Sequence, residues 1–305
     1  MINDEKNIII VYADRAELSI LEPICNELKN KNKNFQHLNL SEHITNIHDD
    51  KNLSKIYDFT YDFIENNKID FVILIGDRRE VMFASLAFFV KQIPIIQLAS
   101  GDLSSEISLV DDFYRHLLTI ISSKQISFSK TSLNKTNDIL TTLNIKPNSI
   151  FYPNPTLDRL NLKNLINKID EKYDLILMHP QSLSFKDTID DKNKLLELIN
   201  FNKKNIIIRG NKDKNYEIYY DLWNNLSAYE NIEVYDNLEK QKFISLLKFA
   251  NRFITNSSCS FYEAPLFLNN DQIIRIGRRN KNREIVKYNK DELNSAKKIV
   301  DFILK

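Results

Sequence analysis

Two cysteines and four glycines in 305 residues are the scarcest features with consequences here. Cys25 and Cys259 cannot build a metal cage by themselves, and a disulfide framework would need more of them. Both are expected to be reduced and structural, and no cofactor or metal is implied. Charge of one sign is also lacking. Forty-two Lys and Arg stand against forty-one Asp and Glu, for a net charge of +1. No global field would therefore gather nucleic acid or an acidic membrane surface, and any anion site must be local. No apolar run reaches the roughly 18 residues that span a bilayer. Met1 to Lys6 leads directly into the apolar Ile8 to Tyr12 without a cleavable signal pattern. These absences point to a cytoplasmic protein with neither nucleic acid nor membrane as partner. What is present is 43% hydrophobic residues, enough for two domains of about 150 residues with a core each.

The four glycines sit at telling places. Gly76 follows FVILI, Gly101 follows IPIIQLAS, Gly210 follows NIIIR and Gly277 follows QIIRI. Short Ile- and Val-rich runs without strict alternation suit parallel strands covered on both faces. Ligands of open α/β sheets bind at the carboxyl ends of such strands, where a residue without Cβ permits a tight turn or a close approach.

The alternation runs the length of the chain. Strands are expected at 7–12, 34–40, 70–75, 93–98 and 125–129, with helices at 18–30, 53–66, 80–91, 111–122 and 132–143. Pro147, Pro153 and Pro155 then interrupt the pattern and mark a boundary after 158. The second half restarts with strands at 174–178, 205–208, 232–235, 252–255 and 272–276, and helices at 191–201, 215–227, 240–250, 262–268 and 290–304. The fold class is α/β: two Rossmann-like domains, 1–158 and 159–305, with an interdomain cleft expected at their strand ends.

Chemistry-bearing residues collect at those ends. Asp77 lies between a strand and a helix, where it is either a helix N-cap or a carboxylate facing a ligand. Asp102 follows Gly101, and Asp111-Asp112 stands three residues before Arg115-His116. Crowded carboxylates raise one another's pKa values and can share proton transfer; solvated loop acids are the alternative. His179-Pro180 ends the strand DLILM, a better place for chemistry than a helix surface. His37, His43 and His48 lie in a polar stretch without acidic partners and read as solvated. Asn256-Ser257-Ser258-Cys259-Ser260 precedes a helix expected near Tyr262, and hydroxyls with free N–H groups there suit a diphosphate. Glu263, on the first turn of that helix, could accept from ribose hydroxyls. The run Gly277 to Arg283 brings cations to the next strand end.

Together these segments resemble the UDP-N-acetylglucosamine 2-epimerase family, in particular the hydrolysing branch of sialic acid and nonulosonate synthesis. Arg15 in Ala13 to Glu17 is similar to the family's first-loop arginine. Gly76-Asp77-Arg78 with Glu80 resembles G-D-R-x-E, and Asp111 to His116 resembles D-D/E-x-x-R-H. Tyr152 to Asp158 is similar to the hinge segment G-x-P-x-x-D. His179-Pro180, Asn211-Lys212-Asp213, Asn256-Ser257-Ser258 with Glu263-Ala264-Pro265, and Gly277 to Glu284 follow in family order. The chain departs at Gln97 and Ala99, where the family segment H-x-E-G-G-E has a histidine and its first acid, and at Ser260, where it has glycine.

The resemblance implies a glycosyltransferase-B arrangement and a nucleotide-sugar substrate, with homodimer or homotetramer left open. It implies nucleotide binding on the second domain by Ser257, Ser258, Glu263, Arg279 and Arg283, with Arg15 pairing phosphate charge. Asp77, Asp102 and Asp111 are the candidates for proton transfer, and His179 for steadying the diphosphate or placing water. The implied reaction removes the C2 proton, eliminates nucleoside diphosphate and adds water to the unsaturated sugar. A glycosyltransferase or simple nucleotide-sugar hydrolase of this architecture is the competing reading, and a degenerate binding subunit is a third.

Overall fold

Five consecutive apolar residues, Ile8–Tyr12, make the first strand (β1), and all five are buried, as a strand covered on both faces requires. The computed structural model describes residues 6–45, 49–103, 110–159, 169–181, 184–210, 215–236, 238–281, 283–286 and 294–305. Helix α1 (Arg15–Asn30) follows, then β2 (Phe35–Asn39), the one-turn α2 (Leu40–His43) and α3 (Leu53–Glu65). Next come β3 (Phe71–Ile75), α4 (Arg79–Val90), β4 (Ile95–Leu98), α5 (Val110–Ile121), β5 (Lys124–Ser127), α6 (Lys130–Thr142) and β6 (Ser149–Phe151). The first sheet has the order β2-β1-β3-β4-β5-β6. All its described pairings are parallel.

Residues on β1 sort by the period of two that a pleated strand dictates. Ile8 and Ile10 pack with Leu21, Ile24 and Leu28 of α1. Ile9 and Val11 pack on the opposite face with Ile56 of α3 and Val81 and Phe88 of α4. Helix α1 begins with a reciprocal capping box, in which Asp14 accepts from the Glu17 N–H and Glu17 reaches back to the Asp14 N–H.

The second sheet is built from β7 (Tyr173–Met178), β8 (Lys204–Arg209), β9 (Ile232–Tyr235), β10 (Arg252–Thr255) and β11 (Ile273–Arg275), in the order β11-β10-β7-β8-β9. Its helices are α7 (Phe185–Leu198), α8 (Glu217–Leu226), α9 (Lys240–Phe249) and the one-turn α10 (Cys259–Tyr262). Ile176, Met178, Leu195, Ile207, Trp223 and Ile254 are the centre of its core.

Three expectations need correction. The Pro-rich stretch before residue 158 contains β6, a short edge strand flanked by its prolines. Helix α7 begins at Phe185 rather than 191, because Ser184 caps it by accepting from the Asp187 N–H at 3.1 Å. The helix expected at 262–268 is one α-turn at Cys259–Tyr262 and a 3-10 turn at Ala264–Leu266 containing Pro265. Glu263 therefore stands between the two turns, closing the first and opening the second, instead of lying on the first turn of one longer helix. The closing helix, α11 (Ser295–Leu304), packs its Ala296, Ile299, Val300 and Ile303 on the first core.

That helix is also held by polar contacts. Asp158 Oδ2 accepts from the Ala296 N–H at 2.6 Å, and Lys124 Nζ donates to the carbonyls of Phe302 and Ile303 at 2.9 and 3.2 Å. The chain thus divides into one unit of residues 1–103, 107–159 and 291–305, and a second of 104–106 and 160–290.

Candidate functional site

Each sheet order reverses once, at β1/β3 in the first and β7/β10 in the second, and such switch points are where open α/β sheets hold ligands. In the first unit both sides of the reversal carry charge. Asp14, just past β1, pairs with Arg78, just past β3. The N-cap position of α4 is Arg78, without a side-chain cap bond of its own, and Asp77, one residue before it, pairs with Arg115.

Arg115 on α5 organises this end. Only 2% exposed, it donates to Asp77 Oδ2 at 2.5 Å, to Asp112 Oδ1 at 3.0 Å and to the Asp102 carbonyl at 2.6 Å. Its guanidinium thereby joins β3, the loop after β4 and the start of α5, with the fork geometry that lysine lacks. Asp102 is buried and accepts from the Leu103 N–H at 3.1 Å. Asp111 lies at the same helix start with its side chain reaching solvent. Surrounding protein and the negative Asp77 still push its carboxyl up to about 6, against the opposing pull of Arg115 and Arg78. Glu17 is 5% exposed, and burial raises its carboxyl to about 8 although the Ala13 N–H, at 2.6 Å, favours the charged form. His116 is half-buried, and burial together with the Arg115 charge lowers its pKa.

The second unit's reversal is held by amides. Asn256, just past β10, accepts from the His179 N–H at 2.7 Å and donates to the His179 carbonyl at 2.8 Å, so it clamps the backbone leaving β7. Asn280 donates to the Asn256 carbonyl at 2.7 Å, and Arg279 donates to the Pro180 carbonyl. Burial and the Arg279 charge lower His179 to about 3, so it is neutral at physiological pH. It can serve a diphosphate as a neutral hydrogen-bonding group and not as a cation.

Ser257 is buried, and its N–H is held by Thr255 Oγ1 at 2.9 Å. Ser258 stands at the N-cap of α10 without a side-chain cap bond, so capping does not account for it. Glu263, 7% exposed, receives Lys240 Nζ at 2.6 Å. Arg283 donates to the Tyr262 hydroxyl at 2.9 Å. Gly277 has φ +73°, and a Cβ there would stand 2.3 Å from both carboxylate oxygens of Asp191. Gly210 is similarly tight, its Cβ position lying 2.4 Å from the Met178 carbonyl oxygen and 2.8 Å from His179 Nδ1.

The structure therefore gathers Asp77, Asp102 and Asp111 around Arg115 in the first unit, and His179, Ser257 and Ser258 around Asn256 in the second. The Arg15 side chain, His48, Asn211-Lys212-Asp213 and Asn282 lie outside the described residues. Gln97, Lys240 and Asp191 were not picked out by the sequence as site-supporting groups. The polar stripe Asp112, Arg115 and Thr119 at helical spacing on α5 was the available signal for the first of these, since those side chains must meet polar partners below them.

The family model for UDP-N-acetylglucosamine 2-epimerases matches residues 28–293. The chain belongs to that family. It is 27% identical to the GDP/UDP-N,N'-diacetylbacillosamine 2-epimerase (hydrolyzing) of Campylobacter jejuni, across 92% of this chain and 82% of that protein. It is 26% identical to the polysialic acid biosynthesis protein P7 of Escherichia coli, across 73% of this chain and 58% of that protein. The UDP-GlcNAc 2-epimerase of Neisseria meningitidis, solved bound to UDP-GlcNAc, shares its fold with a TM-score of 0.77 at 17% identity, over 98% of this chain and 99% of the other. Among the described residues no helix is long and apolar enough to cross a membrane.

Proposed function

We propose that this family member is a hydrolysing 2-epimerase of a UDP-N-acetylhexosamine, working in the synthesis of a nonulosonate destined for cell-surface polysaccharide. The observation that carries the reading is the pair Asp77 and Asp111. One is ion-paired with a buried arginine and the other is pushed up to about 6 beside it. A carboxyl raised toward its protonated form beside an arginine-paired carboxylate supplies both an acid and a base at one site.

In this reading the charged Asp77 takes the proton from C2, and the C1–O bond to the diphosphate breaks as the C1–C2 double bond forms. Asp111 and Asp102 handle the later proton movements as water adds across that bond, giving the free 2-epimer and UDP. The nucleotide belongs to the second unit, with Ser257 and Ser258 at the diphosphate, Glu263 at the ribose, and Arg279, Arg283 and Arg15 offsetting phosphate charge. His179 supplies a neutral hydrogen bond there. Pre-placed donors of this kind stabilise charge as it develops on the leaving group.

Incubation with UDP-GlcNAc in deuterated water tests the reaction. Deuterium at C2 of the released sugar is the expected result. Turnover without C2 label would mean glycosyl transfer or plain hydrolysis, and UDP binding with no turnover of any nucleotide sugar would mean a non-catalytic binding protein.

A further inference from the structure

Gln97 is a fully buried amide in β4, between the apolar core residues Ile96 and Leu98. A buried amide is costly unless both its ends are paired, and here both are. Nε2 donates to the carbonyl of Arg115 at 2.9 Å, and Oε1 accepts from the hydroxyl of Thr119 at 2.9 Å. The same hydroxyl stands 3.0 Å from that Arg115 carbonyl. Arg115 and Thr119 are one turn apart on α5, so the amide wedges a turn of the helix against the strand. The residue whose backbone is held in this way is the one whose guanidinium grips Asp77, Asp112 and the Asp102 carbonyl. A carboxylate at 97 would set an acceptor against the Arg115 carbonyl, and an aliphatic side chain would leave the Thr119 hydroxyl its helical acceptor alone.

We propose that Gln97 is a positioning residue: its amide, closed by Thr119, fixes the backbone of Arg115 so that the guanidinium holds Asp77 at the end of β3. The effect on turnover rests on the epimerase reading above, whereas the effect on Asp77 does not. Small errors in the placement of a reacting group are expensive, and the hydrogen bonds link Gln97 and Thr119 to Asp77 through Arg115.

The test compares Gln97→Met, the near-isosteric Thr119→Val and the hydroxyl-preserving Thr119→Ser. The Asp77 carboxyl carbon is titrated by NMR in 13C-labelled protein, its signal assigned with Asp77→Asn. The charged groups that bear on it are Arg115, Arg78, Glu17, Asp14, Glu80, Asp111 and Asp112. Loosening Arg115 removes part of a partner that favours the charged carboxylate. Gln97→Met and Thr119→Val should therefore raise the Asp77 midpoint by about one pH unit, against the 1–3 units an adjacent arginine is worth. They should also lower kcat on UDP-GlcNAc about 10-fold with KM and UDP affinity unchanged, and Thr119→Ser should restore both readings. If Gln97→Met and Thr119→Val lower the melting temperature but leave the Asp77 midpoint at its wild-type value, the positioning role is wrong. A wild-type protein that does not turn over UDP-GlcNAc would overturn the epimerase reading instead, with the titration still deciding the role of Gln97.

Discussion

The carboxyl ends of the two sheets use opposite materials. At β1/β3 in the first unit the reversal is bridged by the ion pair of Asp14 with Arg78, Asp77 beside it pairs with Arg115 of α5, and the carboxyls of Glu17 and Asp111 are raised nearby. At β7/β10 in the second the bridge is Asn256, bonded twice to the backbone of His179, which is itself neutral. Ion pairs with shifted proton affinities suit proton transfer, since they place both charged and protonated carboxyls at one pH. Neutral amides and hydroxyls suit the binding of an anion, since they offer hydrogen bonds that add to the counter-charge of nearby arginines. The division predicts that substitutions in the first unit act on turnover and those in the second on nucleotide affinity.

The largest expected effect is on turnover. Asp77→Asn keeps size and polarity but loses the charge that accepts a proton, and kcat should fall about 10²–10⁴-fold. Binding of UDP, measured by calorimetry, should not change. Denaturant melts of Asp77→Asn separate this loss from an effect on α4, because Asn caps a helix about as well as Asp and should leave stability unchanged. An active Asp77→Asn protein would move the base to Asp102 or Asp111. On the other side of the comparison, Glu263→Ala removes a charge-assisted acceptor worth about 1.5–3 kcal/mol. UDP affinity should weaken roughly 10- to 100-fold with the fold intact. Unchanged affinity would take Glu263 away from the ribose and leave it as the partner of Lys240.

Much of this division was legible before the structure. Strands such as Phe71–Ile75 stand out because a buried parallel strand is an uninterrupted apolar run, and Asp77 and His179 stand out because they lie within two residues of the ends of such runs. The misses have physical causes. β6 is three residues long beside prolines, which is tolerable on a sheet edge and invisible as a pattern. Helix α7 starts at a Ser184-x-x-Asp187 cap whose polar first turn hides its period. The Gln97–Thr119–Arg115 chain joins positions 18 and 22 residues apart through buried polar contacts. Nothing in linear spacing marks a pairing that only the packing of α5 on β4 creates.

A smaller effect is expected at Gly277. Its φ of +73° is in the left-handed region, where a Cβ costs about 1–2 kcal/mol. Added to this is the displacement of the Asp191 carboxylate, which Gln181 holds at 3.0 Å and Asn256 at 3.5 Å. Gly277→Ala should lower the denaturant midpoint and weaken UDP binding together, because Asp191 is linked through Asn256 to the loop carrying Ser257. Loss of stability with unaltered UDP affinity would separate that loop from the nucleotide.

The last test sharpens the contrast through pH, on stability alone and with neither turnover nor nucleotide affinity as its readout. Glu17 in the folded first unit keeps its proton until about pH 8, whereas an unfolded glutamate, near 4.5, has already given it up. Between these values the folded state binds more protons than the unfolded one, so raising pH favours unfolding. This contribution to stability is fully present below about pH 4.5 and is lost as pH climbs through 8, with a slope of at most about 1.4 kcal/mol per pH unit. Glu17→Gln retains a carbonyl oxygen for the Ala13 N–H but has no proton to lose. Denaturant melts at pH 5, 6.5 and 8 should therefore show the wild type losing stability relative to the variant across the series. Parallel curves would mean that Glu17 is ionised throughout, with its charge carried by Arg78 and the amides of Ala13 and Asp14. The first unit would then be a site of fixed charges with Asp111 as its titrating group, and the proton-transfer roles would narrow accordingly.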